Sequence, residues 1–553
     1  MKNNKFLIFL LILGLSASCS KELDVKNPNQ PTLQGLDNET GILAYTLGGI
    51  YYNGFKYTYY SDGVPGYFWA GAMGFQEEMG DVVGSEAANW YMNQIGCPDL
   101  VTLDDGSKAP NPQTPATQYG LLRQVNQASQ QGSNPTFHEW VNMYNLNNAC
   151  NTILSKVDKT NFTGNSATKI AALKGWCYWW KGFAYSRLGS IYYAGLINND
   201  PSTASNTYVT KEALIAEANA NLDKAAGVFG GLTGGGDYDV VMKTITPDFV
   251  QKGKGLVIAP DQFVRNINTL KARNILVNTP VATMTSTQWS SILSLTNAGI
   301  KSTDNVLTGR TNTNSDIWDA ASGTVCLKTI GPSTAATGTY KVSERLIQDY
   351  KTGDKRLANN FIQGTAWIGN GDRGNIFNTR WVTRDNGAGL KDSATGTPVI
   401  VYGSNKANVG GVEFYLAGTY EENELMKAEA KIYTGDIEGA LALIDAVRKY
   451  QGAGLATVVG TSLNLAQSKE ELRRERRTGL VFRTLSFYDA RRWGLTDKGS
   501  AGRSGCVVVD KAGKLNTNAT INFNYLDYWD VPDNEIHLNP AGVGSAATSN
   551  PKQ

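Results

Sequence analysis

Between Lys169 and Leu196 the residues Ala172, Trp176, Trp179, Trp180, Phe183, Ala184, Leu188 and Ile191 recur at steps of three and four. That period draws them onto one side of a helix, and three tryptophans on one side oblige the chain to supply a surface that covers them. The spacing fits a buried face, so these rings are read as helix packing and not as a sugar platform. Upstream, Trp140, Tyr144, Asn148 and Ile153 make a partner helix across the turn-rich Thr160 to Ser166. Downstream, Lys211 to Ala226, Asn266 to Val277 and Thr287 to Ala298 continue the helical run.

A second pair begins near Tyr420, where Leu425, Ala428 and Ile432 face one way until Tyr433-Thr434-Gly435-Asp436 breaks the helix. Ile437, Leu441, Ile444 and Val447 then carry a return helix that stops at Gly452, and Ala428, Ala440 and Ala446 permit close approach. Helix, short turn, helix of this size is the look of tetratricopeptide (TPR) pairs, whose stacking buries a continuous core. The fold class expected is mostly α, a scaffold of TPR-like helix pairs with a loop-rich capping region.

Gly-, Thr- and Asn-rich stretches separate the helical blocks, notably Leu100 to Gln118, Gly230 to Asp239, Thr303 to Thr339 and Ile362 to Gly410. They are long for simple connections, and long loops on a rigid scaffold are where binding resides. None is a phosphate cradle, since Gly234-Gly235-Gly236 lacks a following Gly-Lys-Ser/Thr. Asp104-Asp105-Gly106 is too short for a calcium loop. With His138 and His537 the only histidines, a His-rich metal cluster is not expected, and each reads as a surface or capping side chain. No cofactor is expected.

The N-terminus has Lys2 and Lys5, an apolar run from Phe6 through Leu15, and Ser16-Ala17-Ser18 before Cys19. This is the order of a secretory signal peptide, and the apolar run is shorter than the roughly 20 residues that span a bilayer. Cleavage before Cys19 with acylation of that cysteine leaves a soluble body tethered by fatty chains. Removing 1–18 takes two of the 51 basic residues and none of the 49 acidic ones, so the mature chain is neutral and bulk charge attracts no nucleic acid. The other cysteines, at 97, 150, 177, 326 and 506, lack CxxC or zinc spacing and read as small buried residues, with one or two bridges at most. The mature length passes the roughly 250–300 residues at which a single core stops growing, so a composite body is expected.

A capping box is expected at Ser468-Lys469-Glu470-Glu471, opening the last major helix. It leads into Leu472-Arg473-Arg474-Glu475-Arg476-Arg477, then Leu480-Val481-Phe482, then Phe487 to Gly494. Interleaved arginines and rings suggest guanidiniums packed on aromatic faces and paired with Glu475 and Asp489, a structural network. This segment resembles the C-terminal signature of the SusD/RagB family of outer-membrane nutrient-binding lipoproteins. The match runs through Arg474-Glu475-Arg476-Arg477, Leu480, Phe482, Asp489 and Arg491-Arg492-Trp493-Gly494. The tail agrees in Pro532-x-x-Glu535-Ile536, Asn539-Pro540 and Asn550-Pro551, as does Asn27 to Thr32 after Cys19. The chain departs at Gly479, Arg483 and Thr484, where the family favours Glu, Glu and Gly, so its buried ion pairs are where it is expected to differ. Ser20-Lys21-Glu22-Leu23-Asp24 is similar to the acidic surface-export signal of Bacteroidetes lipoproteins.

The resemblance implies a SusD-like α/α superhelical fold and a job at the cell surface. That job is to capture oligosaccharides and deliver them to a SusC-like TonB-dependent outer-membrane transporter, above which the protein sits as a lid. The expected division is a signal peptide over 1–18, an N-terminal region with TPR-like helices and binding loops over 19–340, and a C-terminal region with the Arg/Trp signature over 341–553. A neutral glycan offers C–H faces and hydroxyls, so its site needs exposed rings and amides. Trp90 with Asn89 and Tyr91, Trp318 between Asp316 and Asp319, and Trp69 beside Tyr67 and Phe68 are the candidates. The first two fall in regions comparable to those that supply ligand contacts in the family. Two other readings stay open: a peptide-binding, RagB-like uptake lipoprotein, and a glycoside hydrolase using two carboxylates.

Overall fold

A computed structural model describes residues 33–52, 75–85, 95–130, 135–246, 257–310, 340–368, 376–383, 413–499, 502–510 and 512–552. The scaffold is helical. Its main helices are α1 (Pro135–Lys156), α2 (Ser166–Ile191), α3 (Lys211–Gly230), α4 (Gly236–Ile245) and α5 (Pro260–Val277). They continue as α6 (Ser286–Asn297), α7 (Tyr420–Thr434), α8 (Ile437–Tyr450), α9 (Leu465–Gly479) and α10 (Ser486–Arg492). Packing follows a chain of neighbours: α1 on α2, α2 on α3, α3 on α5, α5 on α6, α6 on α7, and α7 on α8 and α9.

The tryptophans of α2 do what their spacing predicts. Trp176, Trp179 and Trp180 are buried, and Trp179 meets Trp180 edge-on with centroids 4.7 Å apart. The indole of Trp179 donates to Asn266 Oδ1 of α5 at 3.0 Å, so the one polar atom of that ring is satisfied inside the core. Helices α2 and α3 can lie this close because Gly175, Gly182 and Gly189 recur every seventh residue of α2. An added Cβ would meet Phe229, Leu222 and Ile215 of α3 at 2.9, 2.6 and 2.9 Å.

The stretches expected as loops carry regular structure in part. Within 100–118, β2 (Leu100–Thr102) and β3 (Lys108–Pro110) form a hairpin. It joins β11 (Arg503–Val509) and β12 (Leu515–Asn522) in an antiparallel sheet of order β11-β12-β2-β3. Val101 lies opposite Ile521, both fully buried, which gives these short strands an apolar reason to pair. Part of 230–239 opens α4, and part of 362–410 lies in the pair β8 (Phe361–Ile368) and β9 (Thr379–Thr383). The capping box also moves: α9 starts one turn earlier, on Asn464 and Gln467, which bond each other's backbone amides at 3.0 Å. Ser468 is inside the helix, its hydroxyl donating back to Asn464 O at 2.9 Å.

Cys97, Cys150, Cys177 and Cys506 are buried free thiols; Cys326 lies outside the described residues. His537 is exposed in the last turn of the helix Asp533–Leu538, against Asp533, while the side chain of His138 lies outside the described set. One apolar cluster runs from Ile42 to Val531, with two small satellites around Trp289 and Ile300.

Candidate functional site

Cys19, Trp69, Asn89, Trp90, Tyr91 and Trp318 all lie outside the described residues. What the structure describes is the frame from which their segments depart. Strand β1 (Val83–Ser85) ends where segment 86–94 begins, and β7 (Tyr340–Val342) starts where segment 311–339 ends. The two strands pair antiparallel with Ser85 opposite Tyr340. A second ladder sets Arg310 of β6 (Thr308–Arg310) opposite Glu413 of β10 (Glu413–Tyr415), so segments 311–339 and 384–412 also share an attachment. The segments bearing Trp90 and Trp318 are therefore tied to one ladder.

That ladder is fixed to the C-terminal signature by buried charge. Asp81, two residues before β1, takes a bidentate contact from Arg345 at 2.7 and 2.6 Å and the Ser343 hydroxyl at 3.0 Å. Arg477 of α9 donates to Gly80 O at 2.8 Å and Asp81 O at 3.0 Å. Burial by itself would raise the Asp81 carboxyl, but the guanidiniums of Arg345, Arg477 and Arg503 hold it at about 2. Nearby Glu77 accepts the Thr484 amide, and burial pushes its carboxyl up to about 7.

The rest of the signature is structural, as its composition predicts, with partners partly different from those expected. Asp489 pairs with Arg476 at 2.8 Å and Arg492 at 2.9 Å, and Arg492 also grips Glu429 with two bonds of 2.6 Å. Arg491 lies over the Tyr528 ring at 4.0 Å and caps the carbonyls of Ser190, Val277 and Asp527. Glu475 instead pairs outside the segment, with Arg356 and with Arg448 at 2.8 Å. The departures from the family pattern at Gly479 and Arg483 fit their surroundings, and the one at Thr484 does not. A Cβ on Gly479 would meet Glu475 Oε1 at 2.9 Å, whereas Arg483 lies 3.6 Å over the Tyr415 ring and 3.7 Å from Glu421. Thr484 sits at φ 63°, where glycine is the easy residue. In the tail, Glu535 accepts the Trp140 indole at 3.0 Å, and Asn550 bonds Asp527 and Tyr528 O, each at 2.8 Å.

Among the described residues no three His, Cys, Asp or Glu side chains gather as metal ligands. Asp104 accepts the amides of Thr517 and Asn518 at 2.8 and 2.9 Å, and Asp105 takes Ser107 and Lys514, so the Asp-Asp-Gly turn braces β12. A cleft of about 230 Å³ where α2, α3 and α5 meet is lined by Asn219, Asn274, Asn278 and Tyr528. Those amides are largely bonded to one another and to serines. No helix among the described residues is long and apolar enough to cross a membrane.

Comparison with known proteins agrees with this architecture. The SusD family profile matches residues 332–544. No curated protein sequence matches the chain significantly. Among solved structures, NanU of B. fragilis is 12% identical, with a TM-score of 0.54 over 95% of this chain and 100% of its own. The surface glycan-binding protein A of Bacteroides fluxus is 12% identical, with a TM-score of 0.52 over 93% of this chain and 100% of that one. A SusD-like carbohydrate binding protein of Bacteroides vulgatus is 14% identical, with a TM-score of 0.51 over 92% and 98%. Residues 332–544 thus match the SusD family profile, and the chain as a whole shares its fold with these SusD-like structures.

Proposed function

We propose that this protein is a non-catalytic, lipid-anchored binding protein of the outer-membrane surface, which captures oligosaccharides and hands them to a SusC-like TonB-dependent transporter. Cys19 is the proposed lipid attachment. Trp90 with Asn89 and Tyr91, Trp318 and Trp69 are the proposed sugar contacts. The observation that carries the reading is the pairing of Ser85 with Tyr340, because it gives the Trp90 and Trp318 segments a common base on a rigid scaffold. Tryptophans carried on two segments with a common base suit a site in which rings stack on the faces of a glycan chain while neighbouring amides take its hydroxyls. Likeness in fold to proteins described as carbohydrate- and glycan-binding supports the same reading.

Calorimetric titration of the purified protein against parallel oligosaccharide and oligopeptide panels tests it. Trp90→Ala and Trp318→Ala are each expected to weaken binding of the recognised glycan about tenfold, roughly 1.4 kcal/mol. Unchanged affinity in both variants would refute the site. Binding confined to peptides would favour the RagB-like cargo, and release of reducing ends would make the protein a hydrolase.

A further inference from the structure

Two helix faces meet at a cleft of about 350 Å³ that the structural role of the signature leaves unexplained. From α9 come Glu470, Arg473, Arg474 and Arg477, spaced i, i+3, i+4, i+7 and hence on one face. From α10 and the turn after it come Ser486, Asp489, Ala490 and Trp493, at the same spacing. Leu495 extends the apolar part of the lining, and Asp349 and Arg503 close it.

Charge in this cleft is out of balance. Four guanidiniums line it, of Arg473, Arg474, Arg477 and Arg503, and they pair there with two carboxylates, of Asp349 and Glu470. The Asp489 carboxylate adds no compensation, because Arg476 and Arg492 already neutralise it. Glu77 also faces Arg477, but burial pushes its carboxyl up to about 7. Burial first, and then the charge of Arg503, pull Arg477 below the ordinary guanidinium value. Arg474 is half-buried and uses only Nε on Glu470, at 2.8 Å. Its two terminal nitrogens have no hydrogen-bond partner among the described residues, and a guanidinium edge with both donors free is shaped for an oxyanion.

We propose that this cleft binds the carboxylate of an acidic sugar, a uronate-type residue, with Arg474 as the anion contact and Trp493, Ala490 and Leu495 against the apolar face of the ring. The volume accommodates one sugar residue, and a cationic edge beside an indole matches a ring that is charged at one end and C–H-faced elsewhere. The choice of a sugar over a bare inorganic anion rests on the glycan-binding reading; the anion contact itself rests on the cleft alone.

Calorimetry and ligand-observed NMR with D-glucuronate, D-glucose, sulfate and phosphate, on the wild type, Arg474→Gln and Ala490→Phe, test the proposal. Glucuronate is expected to bind in preference to glucose, to weaken as salt rises, and to lose about tenfold or more in affinity in Arg474→Gln. Ala490→Phe fills the cleft without touching a guanidinium and should block glucuronate equally, with circular dichroism confirming that both variants are folded. Sulfate and phosphate binding as well as glucuronate, with the same dependence on Arg474, would overturn the sugar assignment and leave a plain anion site. Glucose binding as well as glucuronate, or glucuronate binding indifferent to both variants, or no binding by any of the four, would overturn the site. The neutral-glycan titrations separate the two readings: their failure with glucuronate binding intact sinks the loop site and leaves this one standing.

Discussion

Within the signature, neighbouring arginines have very different standing. Arg476 is 1% exposed and, among the described residues, Asp489 is the only carboxylate it pairs with, whereas Arg474 and its partner Glu470 both reach solvent. Removing one member of a buried pair strands the other, so Asp489→Ala should cost about 3–5 kcal/mol in urea unfolding. Arg474→Ala should stay within about 1 kcal/mol of wild type. Glu77 gives a pH signature. Its carboxyl titrates near the ordinary 4.5 in the unfolded chain and, raised by burial, near 7 in the folded one. Between those values the folded state holds the extra proton, so this contribution is complete below about 4.5 and is lost as pH rises through about 7. Glu77→Gln keeps an acceptor for the Thr484 amide and does not titrate. Wild-type stability relative to that variant should therefore fall between pH 5 and pH 7, by at most about 1.4 kcal/mol per unit, and level off above that; a constant difference would show that Glu77 does not ionise in this range.

Helices were legible in the chain because a 3.6-residue period repeated over four or more turns is hard to mimic. Trp176, Trp179, Trp180 and Phe183 identified α2 and its buried face, and Gly435 marked the break between α7 and α8. The strands were not legible, since β2 and β3 have three residues each, too few to show alternation, and β2 finds its partner more than 400 residues away in β12. The α9 cap was misplaced because Asn464-x-x-Gln467 and Ser468-x-x-Glu471 offer the same chemistry one turn apart, and the earlier box wins by adding a turn of helix. The arginine cleft was half legible: the spacing of Glu470, Arg473, Arg474 and Arg477 was visible, but the opposing face of α10 was not. Gly175, Gly182 and Gly189 also escaped notice, because a glycine stripe means close approach only once a neighbour is known. At Gly182 an added methyl would lie 2.6 Å from both Cγ and Cδ2 of Leu222. Gly182→Ala should therefore destabilise by about 1–3 kcal/mol through overpacking, despite alanine's better helix propensity. Trimming the obstacle in Gly182→Ala/Leu222→Ala should recover part of the loss beyond additivity in a double-mutant cycle.

At the scale of the molecule, the regions on either side of position 340 draw on one core. The main apolar cluster takes Trp140, Trp176 and Leu222 from one side and Leu425, Phe487 and Trp529 from the other. Polar ties cross in the same way. Arg491 caps Ser190 O and Val277 O, Arg477 holds Gly80 O, and β12 pairs with β2. Arg123 reaches Asp530 at 2.9 Å and the carbonyls of Asn550 and Lys552. A fragment of residues 341–553 would expose the inner faces of α7 and α10, strip β12 of its β2 edge and leave Arg477 and Arg491 without the carbonyls they cap. Each loss falls on groups that are buried in the whole protein, where an unpaired donor costs about 1–3 kcal/mol and each uncovered large side chain a similar amount. Net stabilities of about 5–15 kcal/mol do not survive several such losses. The fragment alone should lack a cooperative thermal transition and native near-ultraviolet dichroism, while the full chain should unfold in a single calorimetric transition. Two resolved transitions, one of them matching a folded 341–553 fragment, would show that the two regions are separate folding units joined across an ordinary interface.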